Sequence, residues 1–342
     1  MVGSVANQGS ELLVGSRLRR ALILLLVLLL IASLFALHTG YAELSLTAIR
    51  TDARARAVFM ELRLPRVVLA GIVGASLSSV GAALQALFRN PLAEPFTLGV
   101  SGGATLGASI AIALGFGAGV AGIPAVFGFA FAGAGAAMAA VYLLARTDRG
   151  VAAATMLLSG IVINLCATAA VMLVQYLADF NRASQILRWM IGSLDVVGFS
   201  LLGRMLLLLV PGWLILVWSA PELNLVAMGN ETARTLGVNV RAVERRTYVA
   251  ASLIVAVTAS AGGNIGFVGL IVPHVTRRLF GQDLRILIPA SFLLGAGFLI
   301  VADAAARSLL SPSELPTGIV TALLGGPFLL WLLGREQRRG SL

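Results

Sequence analysis

The chain has 342 residues, of which 58% are hydrophobic and only 12% are charged, and its mean hydropathy is +0.95. Soluble domains are about half apolar and about one quarter charged, so this composition excludes an ordinary soluble fold. The net charge of +10 would suit a nucleic-acid-binding surface, but the arginines lie in short clusters between apolar runs, as membrane topology signals do. We therefore predict an all-α polytopic membrane protein that binds no nucleic acid.

The apolar runs are long enough to hold about ten membrane-spanning helices, because each crossing needs about 20 residues. In chain order, the predicted spans are 20–39, 64–87, 95–115, 119–145, 151–177, 199–219, 245–262, 265–281, 285–304 and 316–334. The arginine cluster at Arg17, Arg19 and Arg20 resembles the start of a signal peptide, but the apolar run that follows is too long, so we predict an uncleaved first span. Placing both termini on the inner side puts most arginines in inner segments.

Small residues recur every four positions in two of the predicted spans. The two stripes are Gly99, Gly103, Gly107 and Ala111, and Gly128, Ala132 and Ala136. Such stripes let helix backbones approach closely, so we expect tight helix packing there. Three segments also look broken at membrane depth, at 90–95, 262–264 and 312–316. Irregular backbone at that depth must be buried in protein or line a watery cavity.

The most polar inner segment runs from Pro221 to Arg246. Asn230 is suited to cap a short helix, and Gly237 is suited to end it in the left-handed conformation, so we predict two short helices that separate at Gly229 and Asn230. A helix pair on the inner surface is shaped to dock into another protein. An ordinary ordered loop is the alternative.

Arginines also lie at the predicted outer rim, against the usual bias of membrane proteins. Arg63 and Arg66 begin the second span, and Arg307 follows the ninth. They would suit salt bridges to acidic groups of a docking partner. Alternatively, they pair with Glu61 and Asp303 or extend towards lipid headgroups.

A polar stripe occurs within the fifth predicted span. Asn164, Thr168 and Gln175 fall within about 40° of one another on a helical wheel, and Met172 lies nearby. Such a stripe faces either other helices or a water-filled path.

Several kinds of site are disfavoured by what the sequence contains. All 25 basic residues are arginine, and a phosphate-binding P-loop requires a lysine, so any ATP-driven step needs an ATPase on another polypeptide. The two histidines, His38 and His274, are far apart, and no carboxylate cluster joins them, so we expect no metal site and no catalytic residues. Cys166, the only cysteine, lies in an apolar run and is predicted to pack in the core. A channel or secondary carrier that works alone, or a membrane-embedded enzyme, remains a rival interpretation.

Several long motifs, in order along nearly the whole chain, closely resemble one family. They are Arg63-Leu64-Pro65-Arg66, the run 81–95, Leu98-Gly99-Val100-Ser101, the run 266–274, the run 302–307 and Glu314-Leu315-Pro316-Thr317-Gly318. These motifs resemble the FecCD/BtuC-like permeases of type II ABC importers for ferric siderophores, haem and cobalamin.

The resemblance implies a type II ABC importer permease fold of about ten spans, with residues 1–342 forming a single permease domain and about 221–246 forming its cytoplasmic coupling loop. It implies these roles: docking of a binding protein by Arg63, Arg66 and Arg307; coupling to an ATPase by Glu222, Asn230, Glu231, Arg234 and Gly237; and a translocation path at Asn164, Thr168, Met172, Gln175, Leu315 and Pro316.

The same resemblance implies the partners and the location. They are a second permease subunit, identical or closely paralogous, two cytoplasmic ABC ATPases that bind ATP and Mg²⁺, and a periplasmic or lipid-anchored substrate-binding protein. The permease itself holds no cofactor. It would lie in the bacterial inner membrane with both termini cytoplasmic and would import an iron(III)-siderophore, with haem or cobalamin as the alternatives.

Overall fold

The computed structural model describes residues 19, 22–39, 50–116, 119, 123–147, 150–151, 153–196, 198–310 and 313–338. Within these ranges the chain is almost entirely helical. The helices are α1 (Leu22–His38), α2 (Ala53–Leu87), α3 (Val100–Ala113), α4 (Ala125–Ala145), α5 (Ala153–Leu177), α6 (Phe180–Ile191), α7 (Ser200–Ala227), α8 (Asn230–Thr235), α9 (Val240–Gly262), α10 (Val268–Phe280), α11 (Leu284–Ser308) and α12 (Thr317–Arg338). A single 3₁₀ turn, Pro95–Leu98, precedes α3, and β1 (Arg146–Thr147) pairs with β2 (Gly150–Val151) after α4.

Each of the ten predicted spans coincides with one of these helices, and the two remaining helices, α6 and α8, are short. Six helices are long and apolar enough to cross a membrane by length and composition, namely α2, α4, α5, α7, α11 and α12. Helices α1 and α3 are shorter apolar helices. The membrane-protein class and the all-α fold are therefore confirmed. Several helix ends predicted from the sequence are wrong, because polar residues in the first and last turns stay helical where those turns pack against other helices.

The central helix of the bundle is α2. Of its most apolar 18-residue window, 89% is buried within the chain, whereas the corresponding figure for α5 is only 17%. Helix α2 packs along α11 over its length and also contacts α7, α9 and α10. Helix α5 lies at the edge against α3 and α4, so most of its apolar surface must be covered by lipid or by another chain.

Glycine allows α2 to approach its neighbours backbone to backbone. A Cβ atom on Gly81 would lie 2.0 Å from the carbonyl oxygen of Gly269 in α10, and one on Gly74 would lie 2.2 Å from that of Gly295 in α11. Of the two small-residue stripes, the first is confirmed, because Gly103 and Gly107 pack directly against the backbone of α4. The second is wrong within this chain, since a Cβ atom on Gly128 would meet nothing within 4 Å and Ala132 and Ala136 are exposed.

The irregular segments occur where the sequence predicted them and are held by specific bonds. A carboxylate oxygen of Glu94, after the Asn90-Pro91 bend, accepts a hydrogen bond from the backbone N–H of Phe267. Thus the first break is tied to the stretch 263–267 that precedes α10. The third break, 313–316, precedes α12; Ser311 and Pro312 lie outside the described residues, as do Arg17, Arg20, Arg149 and Arg339.

Helix α6 was missed by the sequence interpretation, which treated 178–198 as a connection. Asp179 caps its start by accepting a hydrogen bond from the N–H of Arg182 at 3.0 Å, and Gly192 ends it with a φ of 81°. At that end the N–H of Gly318 donates to the carbonyl of Gly192 at 3.1 Å. A Cβ on Gly318 would lie 2.0 Å from the carbonyl oxygen of Ile191, so α6 and the start of α12 meet at their backbones.

Candidate functional site

Polar residues concentrate at three places on the bundle. One is the end that carries Arg63, Arg66 and Arg307, which we name the outer end after the predicted topology. The second is the side of α5 that faces the bundle. The third is the end of the bundle opposite the outer end, which carries α8 and which we name the inner end.

At the outer end a buried carboxylate, that of Asp303, organises the arginines. Asp303 is 1% exposed and accepts hydrogen bonds from Arg66 Nε and Nη2 at 3.1–3.2 Å, from Arg307 Nε at 3.0 Å and from the hydroxyl of Thr317 at 2.9 Å. Its four bonded groups lie on α2, α11 and α12. A buried carboxylate is tolerated when its lone pairs are satisfied in this way. Asp303 therefore ties three helices together at this end.

Arg63 and Arg307 also hold the end of α1. Arg63 Nη1 donates to the carbonyl of Leu37 at 3.0 Å, and Arg307 donates to the carbonyls of Thr39 and Ala36, each at 3.1 Å. The last carbonyls of a helix lack intrahelical partners and carry partial negative charge, so two cations there are favourable. A six-residue π-helical stretch within α2, Val58–Arg63, ends on the first of these arginines, which is 8% exposed.

The structure thus brings the three arginines together, but as recessed and internally bonded side chains. The pairing with Asp303, which the sequence left open, is observed for Arg66 and Arg307. Arg66 differs from the other two because its Nη1 also reaches outward, to Glu314 at 2.7 Å and to Asp195 at 3.7 Å, and both of these acids are substantially exposed. The docking role of the arginines stays a prediction.

On the side of α5 that faces the bundle, some residues of the polar stripe bond to neighbouring helices and others are exposed. Asn164 Oδ1 accepts from the N–H of Gly102 at 2.8 Å, and its Nδ2 donates to the carbonyl of Phe96 at 3.1 Å, so this amide binds α5 to the start of α3. Gln175 bonds to the sulfur of Met190 in α6. Met172 is 61% exposed and faces away from the bundle. Helix-to-helix bonding, one of the two open alternatives, is therefore what Asn164 does within this chain.

A polar cavity of about 200 Å³ lies beside Asn164 and Thr168. Its lining is Ser101, Gly102, Thr105, Asn164, Thr168, Val171, Met190 and Asn264. The predicted path residues Leu315 and Pro316 lie elsewhere, at the start of α12, where the N–H of Leu315 bonds to the carbonyl of Ala306. Ser101 and Asn264 were noted in the sequence only within a motif and a break, and Thr105 was not noted. None of the three was assigned to the path, because an isolated hydroxyl or amide residue does not indicate a site.

Cys166 was predicted to pack in the core, and this is wrong. The thiol is exposed on α5, because only the other side of that helix packs against α3 and α4. Apolar residues exposed on the same helix include Leu158, Ile161, Leu165 and Tyr176.

At the inner end, the prediction of two short helices is half right. Residues 221–227 continue α7 without a break, because Leu223 and Val226 are completely buried and hold this last stretch in place despite Pro221. Glu222 therefore lies on α7, where it pairs with Arg246 at the start of α9. Only α8, Asn230–Thr235, is a separate short helix.

Helix α8 is bounded by glycines and anchored by one side chain. Gly229 precedes it, and Gly237 ends the turn with a φ of 83°, as the sequence predicted. Ala233 is completely buried, whereas Glu231 and Arg234 are exposed. Asn230 does not cap the helix; it is the first helical residue, and its amide nitrogen lies 3.4 Å from Glu244 Oε1. Glu231 and Arg234 thus form a charged ridge at the surface, on a helix that the buried Ala233 anchors.

The base of the inner end is reinforced between α7 and α11. Asn224 donates to Asp283 Oδ1 at 2.7 Å and accepts from the N–H of Leu284 at 2.9 Å. Burial alone would raise the pKa of Asp283, but hydrogen bonds from Arg285 and Asn224 outweigh it and hold that pKa below its usual value. The carboxylate is therefore charged at neutral pH and caps the first turn of α11.

Comparison with known proteins gives one consistent answer. The model of the FecCD transport family matches residues 21–335. A hemin transport system permease of Yersinia pestis is 38% identical over 92% of this chain and 96% of its own length, and a probable iron chelatin transport permease of Helicobacter pylori is 37% identical over 82% and 83%. A solved structure of a metal-chelate type ABC transporter, in an inward-facing conformation, covers 92% of this chain and 99% of its own at 30% identity and a TM-score of 0.81.

These matches run through the helices that carry all three polar places, and the structural match confirms the expected permease fold. The chain belongs to the FecCD transport family and is the permease of an ABC importer.

Proposed function

We propose that this permease imports an iron(III)-siderophore chelate across the bacterial inner membrane, driven by ATPase subunits on separate chains. Transport driven by a separate ATPase is supported by α8, a short helix that is anchored by the buried Ala233 and exposes a charged ridge at Glu231 and Arg234. Exposed charges on a helix that is held in place suit charge-assisted hydrogen bonds to a partner. The chain contains no lysine for a P-loop of its own.

The proposed mechanism is alternating access between two permease subunits. Binding and hydrolysis of ATP, with Mg²⁺, take place on two cytoplasmic ATPases that grip α8. Helix α9 begins at Val240, after the short turn 236–239 that follows α8, and reaches Gly262, so a displacement of α8 would be carried towards the outer end along one continuous helix. A periplasmic or lipid-anchored binding protein would deliver the chelate at that end.

The exposed face of α5 supports a second permease subunit, either an identical copy or a close paralogue. Only 17% of the most apolar window of α5 is buried, and the polar stripe that begins at Asn164 continues to Thr168 and Met172, which are exposed. A helix that is apolar with a thin polar edge suits a position between lipid, a partner and a weakly polar path. Leu315 and Pro316 would line the same path near its outer mouth.

Support for a chelate as the substrate comes from the path and from the relatives. The lining of the small cavity beside α5 mixes polar and apolar residues and includes no charged side chain, and a weakly polar wall of this kind suits a path that does not bind its ligand tightly. The similar proteins are named for hemin, for an iron chelatin and for a metal chelate. Haem and cobalamin are the alternative cargoes within the same machinery.

Reconstitution tests the proposal. The permease would be placed in liposomes with its partner ATPase and its substrate-binding protein, and a ferric siderophore, haem and cobalamin would be offered in turn. The ferric siderophore is expected to stimulate ATP hydrolysis and to accumulate inside. Uptake of haem or cobalamin instead would correct the cargo, whereas uptake without the ATPase would favour a carrier that works alone.

A further inference from the structure

The guanidinium of Arg66 forms hydrogen bonds with two unequal carboxylates, and a third, exposed carboxylate, that of Asp195, lies 3.7 Å from Nη1 of this arginine. Its Nε and Nη2 face Asp303, which is 1% exposed, and its Nη1 donates to Glu314 Oε2 at 2.7 Å. The side chain of Glu314 is 47% exposed. One edge of this arginine is thus bonded inside the protein, and the other edge meets the outer surface.

The two contacts differ in strength for a physical reason. Asp303 has no access to water, and Arg307 and Thr317 fix it from other directions, so its bonds to Arg66 cannot be exchanged without burying an unpaired charge. Glu314 is at the surface, where water screens the pair and holding a long side chain costs entropy. Of the two carboxylates, Glu314 is the one that another anion can replace.

We propose that Glu314 is an internal occupant of the docking position at Arg66, displaced when an acidic side chain of the binding protein arrives, and that Asp303 is the residue that positions this arginine. The inference rests on the proposed function, because it requires a binding protein that docks at the outer end. It assigns opposite effects to two acids that bond the same arginine.

Replacement of Glu314 at Arg66 by an acidic side chain of the partner would also change the contacts at the outer mouth of the path. Glu314 directly precedes Leu315 and Pro316, and three contacts join the stretch 314–317 to α2 and α11. They are the bond from Glu314 to Arg66, the bond from the N–H of Leu315 to the carbonyl of Ala306 at 3.0 Å, and the bond from the Thr317 hydroxyl to Asp303. Docking would remove the first and leave the other two. The start of α12 would then be loosened at its outer side while α12 stays attached.

The test measures docking of the partner substrate-binding protein onto the full-length permease with its ATPase in lipid nanodiscs, at several NaCl concentrations. Glu314→Gln is expected to lower Kd about two- to fivefold, the range of an exposed ion pair. Asp303→Asn is expected to raise Kd about tenfold, because Arg66 loses its support. Each variant removes one negative charge, so a general electrostatic effect would move both in the same direction.

Two controls separate the inference from simpler explanations. Asp179→Asn removes an exposed outer carboxylate that pairs with Arg182 and should leave Kd unchanged. In an Arg66→Gln background the gain from Glu314→Gln should vanish, and the NaCl dependence of Kd should become shallower.

Three results would overturn the inference. They are a Kd that Glu314→Gln leaves unchanged or raises, a gain that persists without Arg66, and an equal gain from Asp303→Asn. If Asp303→Asn fails to fold, Glu314→Gln still decides, because its side chain is half exposed. If the unmodified permease binds no such protein, the docking part of the proposed function fails, and the inference fails with it.

Discussion

Arg63 and Arg307 have a structural task that does not depend on any partner. They bond to the last carbonyls of α1, a helix in which Leu25 and Ala36 are buried while most of the other described side chains are exposed. Two apolar grooves, of about 580 and 450 Å³, flank the same helix. Direct packing therefore holds α1 along a narrow line, and the arginines secure its outer end.

Replacement of Arg63 by alanine should release that end. We expect the free energy of unfolding to fall by about 1–3 kcal/mol, because a charged hydrogen bond to a helix-terminal carbonyl is lost in a buried setting. Unfolding in mixed detergent micelles would measure the change. Arg54→Ala is the matched control, since that arginine is exposed at the same end. An equal loss in both variants would contradict the capping role.

Among the elements, the contact between α2 and α10 leaves the least room. Besides the close approach of Gly81 to Gly269, the amide of Gln85 donates to the carbonyl of Gly269 at 3.1 Å and accepts from Arg277 at 2.9 Å. Packing and polar bonds therefore fix the same crossing point. Such close approach is a common way for membrane helices to associate.

Gly81→Ala should be strongly destabilising, by about 1–3 kcal/mol or more, because its Cβ would lie 2.0 Å from a backbone oxygen and one helix must move. Thermal unfolding in detergent would report the loss. Gly135→Ala, within α4 and with nothing near the new Cβ, should instead be neutral or stabilising by about 0.5–1 kcal/mol. A tolerated alanine at position 81 would mean that this crossing adjusts easily.

The elements that the sequence predicted well are those with a strong apolar signal. Spans such as 64–87 and the breaks at Asn90-Pro91 and Gly262-Gly263 follow from composition and from backbone chemistry. Helix α6 has its own cap at Asp179 and stop at Gly192, but it is short and amphipathic, so it was taken for a connection. The last turns of α7 were also missed. Their helical conformation depends on the packing of Leu223 and Val226, and these two residues stand among polar ones in the sequence, so they give no clear apolar pattern.

The candidate sites were predictable as residue types and less so as arrangements. The sequence identified Arg66 and Arg307 but not the number of bonds that Asp303 makes, since those come from helices far apart in the chain. It identified Glu231 and Arg234 on a short helix and Gly237 as the residue that ends the turn, because a glycine stop is a local signal, but it wrongly made Asn230 the cap. Their roles in docking and coupling stay predictions.

For the whole molecule, the proposed transmission from α8 can be tested directly. Arg234→Ala should leave ATP hydrolysis present but reduce uptake per ATP several-fold, because the exposed ridge on α8 would no longer hold the ATPase firmly. Parallel measurement of hydrolysis and chelate uptake in liposomes would show this. Arg146→Ala, which changes an exposed arginine of β1 in another inner segment of the predicted topology, outside the coupling loop, is the control. Normal coupled transport in the Arg234 variant would exclude α8 as the transmission point.

The exposure of Cys166 makes the molecule easy to observe. The chain's one thiol is exposed on α5, about 160° around the helix from Thr168, and the absence of lysine leaves few competing nucleophiles. A spin label or fluorophore attached to Cys166 of the natural protein would report the distance between two permease copies during the transport cycle. No residue would have to be replaced to build this molecular ruler.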